Sequence, residues 1–154
     1  KELIKDTERF GWDFKNPLAS IELVDPTNVD VIEDIIKRKI AENGAKRVVI
    51  DSLTLVGSFI PDPGKIRRKF YSIKKALKEL KVTSLLVSEV EEGVSRLSRF
   101  GVEEFIVDGG IILKVDVDVI GATPRSILVR KMKGTKHDLD FHPIEITSDG
   151  IDLV

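Results

Sequence analysis

Apolar residues recur at intervals of three and four in two stretches of the chain, a spacing that places them along one face of a helix. The first stretch predicts a helix from residue 29 to about residue 42, with Thr27 or Asn28 as its N-terminal cap. The second predicts a helix over residues 66–80, and a shorter helix is predicted over residues 1–9.

Two other stretches are continuously apolar, which is typical of strands buried on both faces in a parallel sheet. They cover residues 47–50 and residues 83–87, and a loop containing residues 61–64 is expected after the first of them. A short strand is also predicted over residues 20–24. Strands that alternate with helices in this way indicate a doubly wound α/β arrangement.

The pattern changes after residue 90. Residues 91–100 predict a polar loop or short helix that carries Arg96 and Arg99. Closely spaced apolar runs with glycine turns between them then favour antiparallel strands or hairpins. These runs cover residues 105–107, 111–119, 125–132 and 144–147. We therefore predict one α/β domain over residues 1–154, with a mostly parallel sheet flanked by helices and extended by C-terminal antiparallel strands.

Composition narrows the class of protein. Hydrophobic residues make up 42% of the chain and charged residues 33%, which is typical of a globular protein. The net charge of -1 does not favour nucleic-acid binding, and the absence of cysteine excludes disulfides and thiolate metal sites. No apolar run approaches the roughly 20 residues of a membrane span, so we expect a cytoplasmic protein. The absence of glutamine and the many Lys, Glu and Ile residues suit a thermophile, such as many archaea.

Polar residues directly follow both predicted parallel strands. Asp51 and Ser52 follow the first strand, and Ser88 and Glu89 follow the second. Because ligands of open α/β sheets bind outside the carboxyl ends of the strands, these side chains are candidates for a metal or phosphate site. The alternative interpretation is that they only cap the next element or end a strand.

A basic cluster lies nearer the C-terminus. Lys131 and Lys133 are two residues apart in a predicted strand, so both are expected to point to one face. With Thr135 and His137 they would form a donor-rich edge suited to anionic oxygens. The alternative is a solvated charged face. His137 and His142 are five residues apart without obvious partner ligands, and a metal site is not expected there.

A phosphate-binding loop of the form G-x-x-x-x-G-K-[ST] does not occur in these 154 residues. Gly64-Lys65 lacks the leading glycine, and residues 134–136 have the wrong order. Neither G-x-G-x-x-G nor G-x-S-x-G is present. The backbone cradle that provides most of the binding of a nucleoside triphosphate is therefore missing from this stretch of sequence.

Four blocks of sequence resemble the KaiC branch of the RecA/RadA ATPase superfamily, in the order of that family. They are RFGWDF (residues 9–14), VVIDSLTLV (48–56), SRFGVEEFIVDGGIIL (98–113) and VRKMKGTKHDLDFHPIEITSDGI (129–151). The last two blocks are long and specific, whereas the second alone is weak. The resemblance implies a partial RecA-like core that forms a ring of subunits, often a hexamer, with ATP and Mg²⁺ between them.

The resemblance also implies roles for the residues at the strand ends. Asp51, followed by Ser52, would be the Walker B residue on the Mg²⁺ side of the nucleotide, and Glu89 would lie beside the same nucleotide. The loops after Asp51 and after Glu89 would face the pore of the ring. Arg96 and Arg99 would there meet a protein partner or nucleic acid.

The basic cluster would contact the ATP held by a neighbouring subunit. The resemblance implies that Lys131 and Lys133 reach its phosphates, with Thr135 and His137 near the same nucleotide. The family more often has arginine at the position of Lys133, and lysine keeps the charge but loses the bidentate fork.

We therefore expect an N-terminally incomplete fragment of an ATPase, whose Walker A loop precedes Lys1 in the parent protein. The isolated chain is expected to be inactive. The alternative is a non-catalytic RecA-like interaction module, and a DNA-binding recombinase fragment is disfavoured by the balanced charge. Removal of a neighbouring strand would leave apolar edges near the two parallel strands, so self-association or a covering segment is also expected there.

Overall fold

A computed structural model describes residues 5, 8–11, 20–116 and 124–154 of the chain. The chain divides into two units, which we name the helical unit (Glu22–Val107) and the antiparallel unit (Lys1–Ile21 with Asp108–Val154). The elements in chain order are α1 (Ile32–Asn43), β1 (Arg47–Ile50), α2 (Leu53–Ser58), α3 (Pro63–Glu79), β2 (Thr83–Leu86), α4 (Glu103–Ile106), β3 (Gly109–Val115), β4 (Arg125–Met132), β5 (His142–Ile146) and β6 (Ile151–Leu153).

Helix α1 begins three residues later than its apolar pattern predicts, and Thr27 makes a different local contact. The N–H and the hydroxyl of Thr27 both donate to Oδ1 of Asp25, at 2.9 and 2.7 Å. The helix is instead preceded by Val31, which gives no side-chain cap. Its C-terminal end matches the prediction, since Gly44 adopts the left-handed conformation with φ of 59°. The predicted cap at Thr27 or Asn28 is therefore wrong.

Helices α2 and α3 both have side-chain caps. The Leu55 N–H donates to Ser52 Oγ at 3.2 Å, and the Lys65 N–H donates to Asp62 Oδ1 at 2.7 Å. Pro63 is the first residue of α3, where its missing N–H costs nothing. Helix α2 occupies part of the segment before residues 61–64 in which only a loop was expected, and α3 begins three residues before the predicted start.

The core of the helical unit is built around α3. Phe70, Ile73 and Leu77 are its least exposed large side chains, at 1–2% exposure. They lie on the stripe that the periodicity of residues 66–80 predicts, and Phe100 packs edge-on against Phe70 with ring centroids 5.9 Å apart. The buried cluster consists of Ile32, Ile40, Leu53, Val56, Ile60, Ile66, Phe70, Ile73, Leu77 and Ile106.

Gly57 in α2 lies against this core at a point where no side chain fits. A Cβ added to Gly57 would lie 2.6 Å from Cζ of Phe100. We expect Gly57→Ala to lower the free energy of unfolding by about 1–3 kcal/mol, since the Phe100 ring must move out of its packing. Urea denaturation measures this change. Gly110→Ala is the control, because an added Cβ there meets no atom within 4 Å. Equal stability of the two variants would contradict the expected clash.

Strands β1 and β2 pair in parallel, with Arg47 opposite Thr83 and Ile50 opposite Leu86. This confirms both predicted strands, but not their predicted burial on both faces. Val49 is 63% exposed and Leu85 57% exposed. The reason is that helices cover one face of this two-stranded sheet in the described part of the chain, so its burial alternates from residue to residue.

Two other predicted strands are absent. Residues 20–24 form no strand and are exposed, because no strand among the described residues pairs with them. Residues 105–107 were predicted as a strand, but the segment turns as α4, in which the Val107 N–H donates to the Glu103 carbonyl at 3.2 Å. Burial of Ile106 in the core fixes this turn. Residues 91–100 contain no helix and form the predicted loop.

An ion pair between α1 and α3 makes stability depend on pH. Glu33 Oε2 lies 2.9 Å from Lys69 Nζ, and the two side chains are 14% and 17% exposed. Burial raises the pKa of Glu33, but hydrogen bonds from Ser72 and Lys69 outweigh it and hold the pKa below its ordinary 4.5. The carboxylate therefore stabilises the fold above its unfolded-state pKa, and this contribution disappears as the pH falls through the folded-state pKa.

We expect Glu33→Gln to lower the free energy of unfolding by about 1–3 kcal/mol at neutral pH, since a partly buried ammonium loses its partner. The difference from the parent should shrink once the pH falls below the ordinary carboxyl value of 4.5. Urea unfolding across a pH series measures it. Glu79→Gln is the control, because the Lys75–Glu79 pair is exposed and 3.8 Å apart. A pH-independent difference would refute the assignment.

The antiparallel unit contains a four-stranded sheet in the order β3-β4-β5-β6. Its antiparallel pairing confirms the prediction for the C-terminal part, with a bulge between Gly110 and Ile111. Strand β6 was not predicted, and β3 begins at Gly109, two residues before the predicted start. Residues 117–119 of that prediction lie outside the described residues, as does most of the helix predicted over residues 1–9.

Candidate functional site

The carboxyl end of β1 carries the first candidate residues. Asp51 follows the last residue of β1 directly and is exposed, and the Asp51–Ser52 peptide bond is cis. Ser52 is buried, and its hydroxyl has two hydrogen-bonding roles. It accepts from the Leu55 N–H as the cap of α2, and it donates to Glu89 Oε1 at 3.3 Å. The capping interpretation of Ser52 is therefore confirmed, and the same hydroxyl also binds the second candidate acid.

The ends of β1 and β2 are held together around this contact. The Leu53 N–H donates to the Val87 carbonyl at 2.8 Å, and the Val87 N–H donates to the Ile50 carbonyl at 3.0 Å. The Glu89 N–H donates to Thr54 Oγ1 at 2.9 Å. Backbone and side-chain bonds together fix the position of Glu89 beside the N-terminus of α2.

This edge presents oxygen ligands, which are the ligands that Mg²⁺ prefers. Asp51 and Glu89 supply carboxylates, and both are exposed. In the parts of the chain that the structure describes, no group of three or more His, Cys, Asp or Glu residues could hold a metal ion. The two carboxylates of Asp51 and Glu89 nevertheless fit Mg²⁺, because the ion is commonly held by one or two carboxylates together with water and phosphate oxygens.

The second group of candidates lies at the end of β4 and in the turn after it, in the antiparallel unit. Lys131 is within β4 and pairs with Gly110 of β3. Lys133 lies in the turn beyond the end of β4, and its Nζ is 2.9 Å from Oδ1 of Asp108. The prediction that both lysines lie in a strand is wrong for Lys133, because β4 ends at Met132. That the two side chains share one face stays a prediction.

Thr135 and His137 continue this turn. The Thr135 N–H donates to the Met132 carbonyl at 3.4 Å, and His137 Nδ1 lies 3.0 Å from the Thr135 carbonyl oxygen. Gly134 makes the turn possible with φ of 72°. His142 instead contacts the exposed carboxylate of Asp138, with Nε2 and Oδ1 2.9 Å apart.

The structure therefore places the candidates in two groups. Asp51, Ser52 and Glu89 lie in the helical unit, and Lys131, Lys133, Thr135 and His137 lie in the antiparallel unit.

Sequence reasoning missed three residues that support these groups. Thr54 binds the Glu89 amide, and Asp108 binds Lys133. Glu103 is 5% exposed and accepts hydrogen bonds from Ser88 and Ser98. Asp108 had one local signal, since it immediately precedes the predicted Gly109-Gly110 turn. Thr54 and Glu103 had no such signal. Thr54 is 35 residues from Glu89, and Glu103 is 15 residues from Ser88, so local spacing does not reveal these contacts.

Comparison with known proteins identifies relatives of the chain. A family model for the KaiC ATPase matches residues 1–154. A UPF0273 protein of Aeropyrum pernix is 38% identical, with 84% of this chain and 50% of the relative covered. The circadian clock oscillator protein KaiC of a Nostoc species is 31% identical, with 99% of this chain and 32% of that protein covered. The chain thus spans about half the length, or less, of these relatives.

A solved structure supports the fold as well. The crystal structure of a KaiC-like protein from the hyperthermophilic archaeon Pyrococcus horikoshii superposes with a TM-score of 0.84 at 35% identity. The alignment covers 99% of this chain and 69% of that one. The predicted α/β fold class and the resemblance found in the four sequence blocks are both confirmed. The chain belongs to the KaiC family of RecA-superfamily ATPases.

Proposed function

We propose that the protein binds ATP with Mg²⁺ and hydrolyses it at the interfaces between subunits of a homo-oligomeric ring. Family membership supports the use of a nucleotide and Mg²⁺ in general. The observation that carries the proposal is that two carboxylates, Asp51 and Glu89, follow the ends of two parallel strands. The Ser52–Glu89 hydrogen bond of 3.3 Å joins these strand ends. Ligands of open α/β sheets bind at this edge.

Each residue of this edge has a chemical role in the proposal. Asp51 would hold Mg²⁺, directly or through water, and the bound ion would supply charge neutralisation at the phosphate oxygens. Glu89 orients groups near the terminal phosphate. Ser52 and Thr54 keep Glu89 in place through its carboxylate and its amide. Such positioning matters because phosphoryl transfer is catalysed mainly by orientation and electrostatic stabilisation.

The turn after β4 supplies the other half of the site in the proposal. Lys131 and Lys133 reach the phosphates of ATP bound by a neighbouring subunit, with Thr135 and His137 close to the same nucleotide. The Lys133–Asp108 pair is exposed, at 58% and 55%. An exposed ion pair contributes at most about 1 kcal/mol, so Lys133 can exchange Asp108 for a phosphate at little cost.

The proposed activity concerns the full-length protein. The G-x-x-x-x-G-K-[ST] sequence does not occur in these 154 residues, so in the proposal a phosphate-binding loop would be supplied from outside them. No helix in the described ranges is long and apolar enough to cross a membrane.

Mixing two inactive variants of the full-length protein tests whether the site is shared between subunits. One variant carries Asp51→Asn, and the other carries Lys131→Ala with Lys133→Ala. In mixed rings, about a quarter of the interfaces combine an intact Asp51 with intact lysines from the neighbour, because head-to-tail contacts use different surfaces of each subunit. We expect ATPase activity to return on mixing, as measured by phosphate release.

The matched control mixes Asp51→Asn with Glu89→Gln. Both residues belong to the same half of the proposed site, so no interface regains a complete site and no activity is expected. Recovery in this control, or no recovery in the test mixture, would show that the site is not divided as proposed. A full-length protein that binds ATP without hydrolysing it would instead favour the non-catalytic interaction module.

A further inference from the structure

A buried carboxylate lies between the candidate site and the loop of residues 90–99. Glu103 is the first residue of α4 and is 5% exposed. Its Oε1 accepts from Ser88 Oγ at 3.0 Å and from the Phe100 N–H at 3.4 Å. Its Oε2 accepts from Ser98 Oγ at 2.7 Å and from the Val102 N–H at 3.1 Å, and the Ser98 hydroxyl also contacts the carboxylate of Glu104. Four donors compensate the burial of this charge, which would otherwise be costly.

On one side, this carboxylate is connected to the candidate site by the hydrogen bond from Ser88. Ser88 directly precedes Glu89, and Ser88 Oγ also accepts from the Arg99 N–H at 3.4 Å. Glu89 is in turn bound by Ser52 and Thr54. The hydrogen bond from Ser88 to Glu103 therefore attaches the strand end that carries Glu89 to α4.

On the other side, the carboxylate holds the loop. Ser98 is 3% exposed, and every other residue of the 90–99 loop is exposed. The loop surrounds a cavity of about 220 Å³ whose walls include Arg96 and Arg99. Because its remaining side chains bury little surface, Ser98 anchors this loop in the helical unit through its contacts with Glu103 and Glu104.

We propose that Glu103 is a positioning residue that couples the 90–99 loop to Glu89. The two oxygens belong to one planar group, so a displacement of the Ser98 hydroxyl rotates the oxygen that binds Ser88. Packing of α4 into the core depends instead on Ile106. A partner that moves the loop thereby changes the position of Glu89. The consequence for catalysis rests on the proposed function, but the mechanical coupling does not.

Amide hydrogen exchange of the full-length protein without nucleotide tests the coupling. Ser98→Ala removes the loop anchor and makes no contact with Glu89. We expect it to raise the exchange rate of the Glu89 amide about tenfold, the scale set by loss of a hydrogen bond to a charged group. In a Ser88→Ala background, where the bridge to Glu103 is already cut, Ser98→Ala should have no further effect on that amide.

Two further variants complete the design. Glu103→Gln should raise exchange at both Glu89 and the loop, and Glu103→Asp should restore part of the protection. Glu92→Gln makes the same chemical change at an exposed loop residue and should leave the Glu89 amide unchanged. If Glu103→Gln does not fold, the Ser88 and Ser98 variants alone decide the question.

The outcomes separate the two proposals. Faster exchange confined to residues 98–102 in Ser98→Ala, with Glu89 unaffected, would overturn the coupling and leave Glu103 as a local anchor. A protein that shows the coupling but hydrolyses no ATP would refute the proposed function and leave the positioning role intact. An active enzyme is expected to lose turnover number in Ser98→Ala while its KM for ATP stays the same.

Discussion

Replacing Asp51 with asparagine is expected to lower ATP hydrolysis by the full-length protein about 100-fold or more, the scale of losing one preorganised electrostatic contact. Asp51 directly follows β1 at the edge where the nucleotide is proposed to dock, and in the proposal its charge holds Mg²⁺. The amide of asparagine keeps the shape and one oxygen but loses the charge. The Mg²⁺ concentration needed for half-maximal activity should therefore rise. Steady-state phosphate release across a Mg²⁺ titration measures both effects.

Asp30→Asn is the matched control for this variant. Asp30 is an exposed carboxylate of the same unit and lies in the turn before α1. The same loss of charge there should leave both the rate and the Mg²⁺ dependence unchanged. Unchanged activity in Asp51→Asn, or an equal loss in both variants, would remove Asp51 from the site.

Replacing Phe70 with alanine is expected to have the largest effect on stability, a loss of about 3–5 kcal/mol in the free energy of unfolding. Phe70 is 1% exposed in the middle of α3. Its ring meets Phe100 edge-on at an interplanar angle of 60°, so the substitution removes both buried area and an aromatic contact. Urea denaturation followed by circular dichroism measures the loss.

Tyr71→Ala controls for the removal of an aromatic ring from the same helix. Tyr71 is the next residue and is 60% exposed. Its loss should change stability by no more than about 0.5 kcal/mol, as is usual for surface positions. Similar losses in the two variants would mean that the core is not centred on α3 as described.

The elements that local pattern determines were predictable from the sequence. The continuous apolar runs of β1 and β2 and the stripe of α3 each specify an element without reference to the rest of the chain. The start of α1 was not predicted in this way, since Thr27 bonds to Asp25 in the turn before the helix and gives no cap. Residues 105–107 have the composition of a strand, but burial of Ile106 in the core determines a helical turn.

The candidate site also contains residues that local pattern predicts and residues that only tertiary contacts reveal. Asp51 and Glu89 were found because they end apolar strands, and the structure brings Ser52 and Glu89 into contact. The geometry of Lys133 was missed because strand β4 ends one residue before it. Thr54, Asp108 and Glu103 act through tertiary hydrogen bonds and ion pairs, which a single sequence does not reveal.

One face of the β1–β2 sheet is exposed in the part of the chain that the structure describes, and this exposure has a thermodynamic consequence. Val49 and Leu85 leave apolar area in water that a covering surface would bury, at about 25 cal/mol per Å². If another subunit supplies the cover, folding and assembly share one free energy, and the melting temperature rises with protein concentration. If another segment of the same polypeptide supplies it, the melting temperature is independent of dilution.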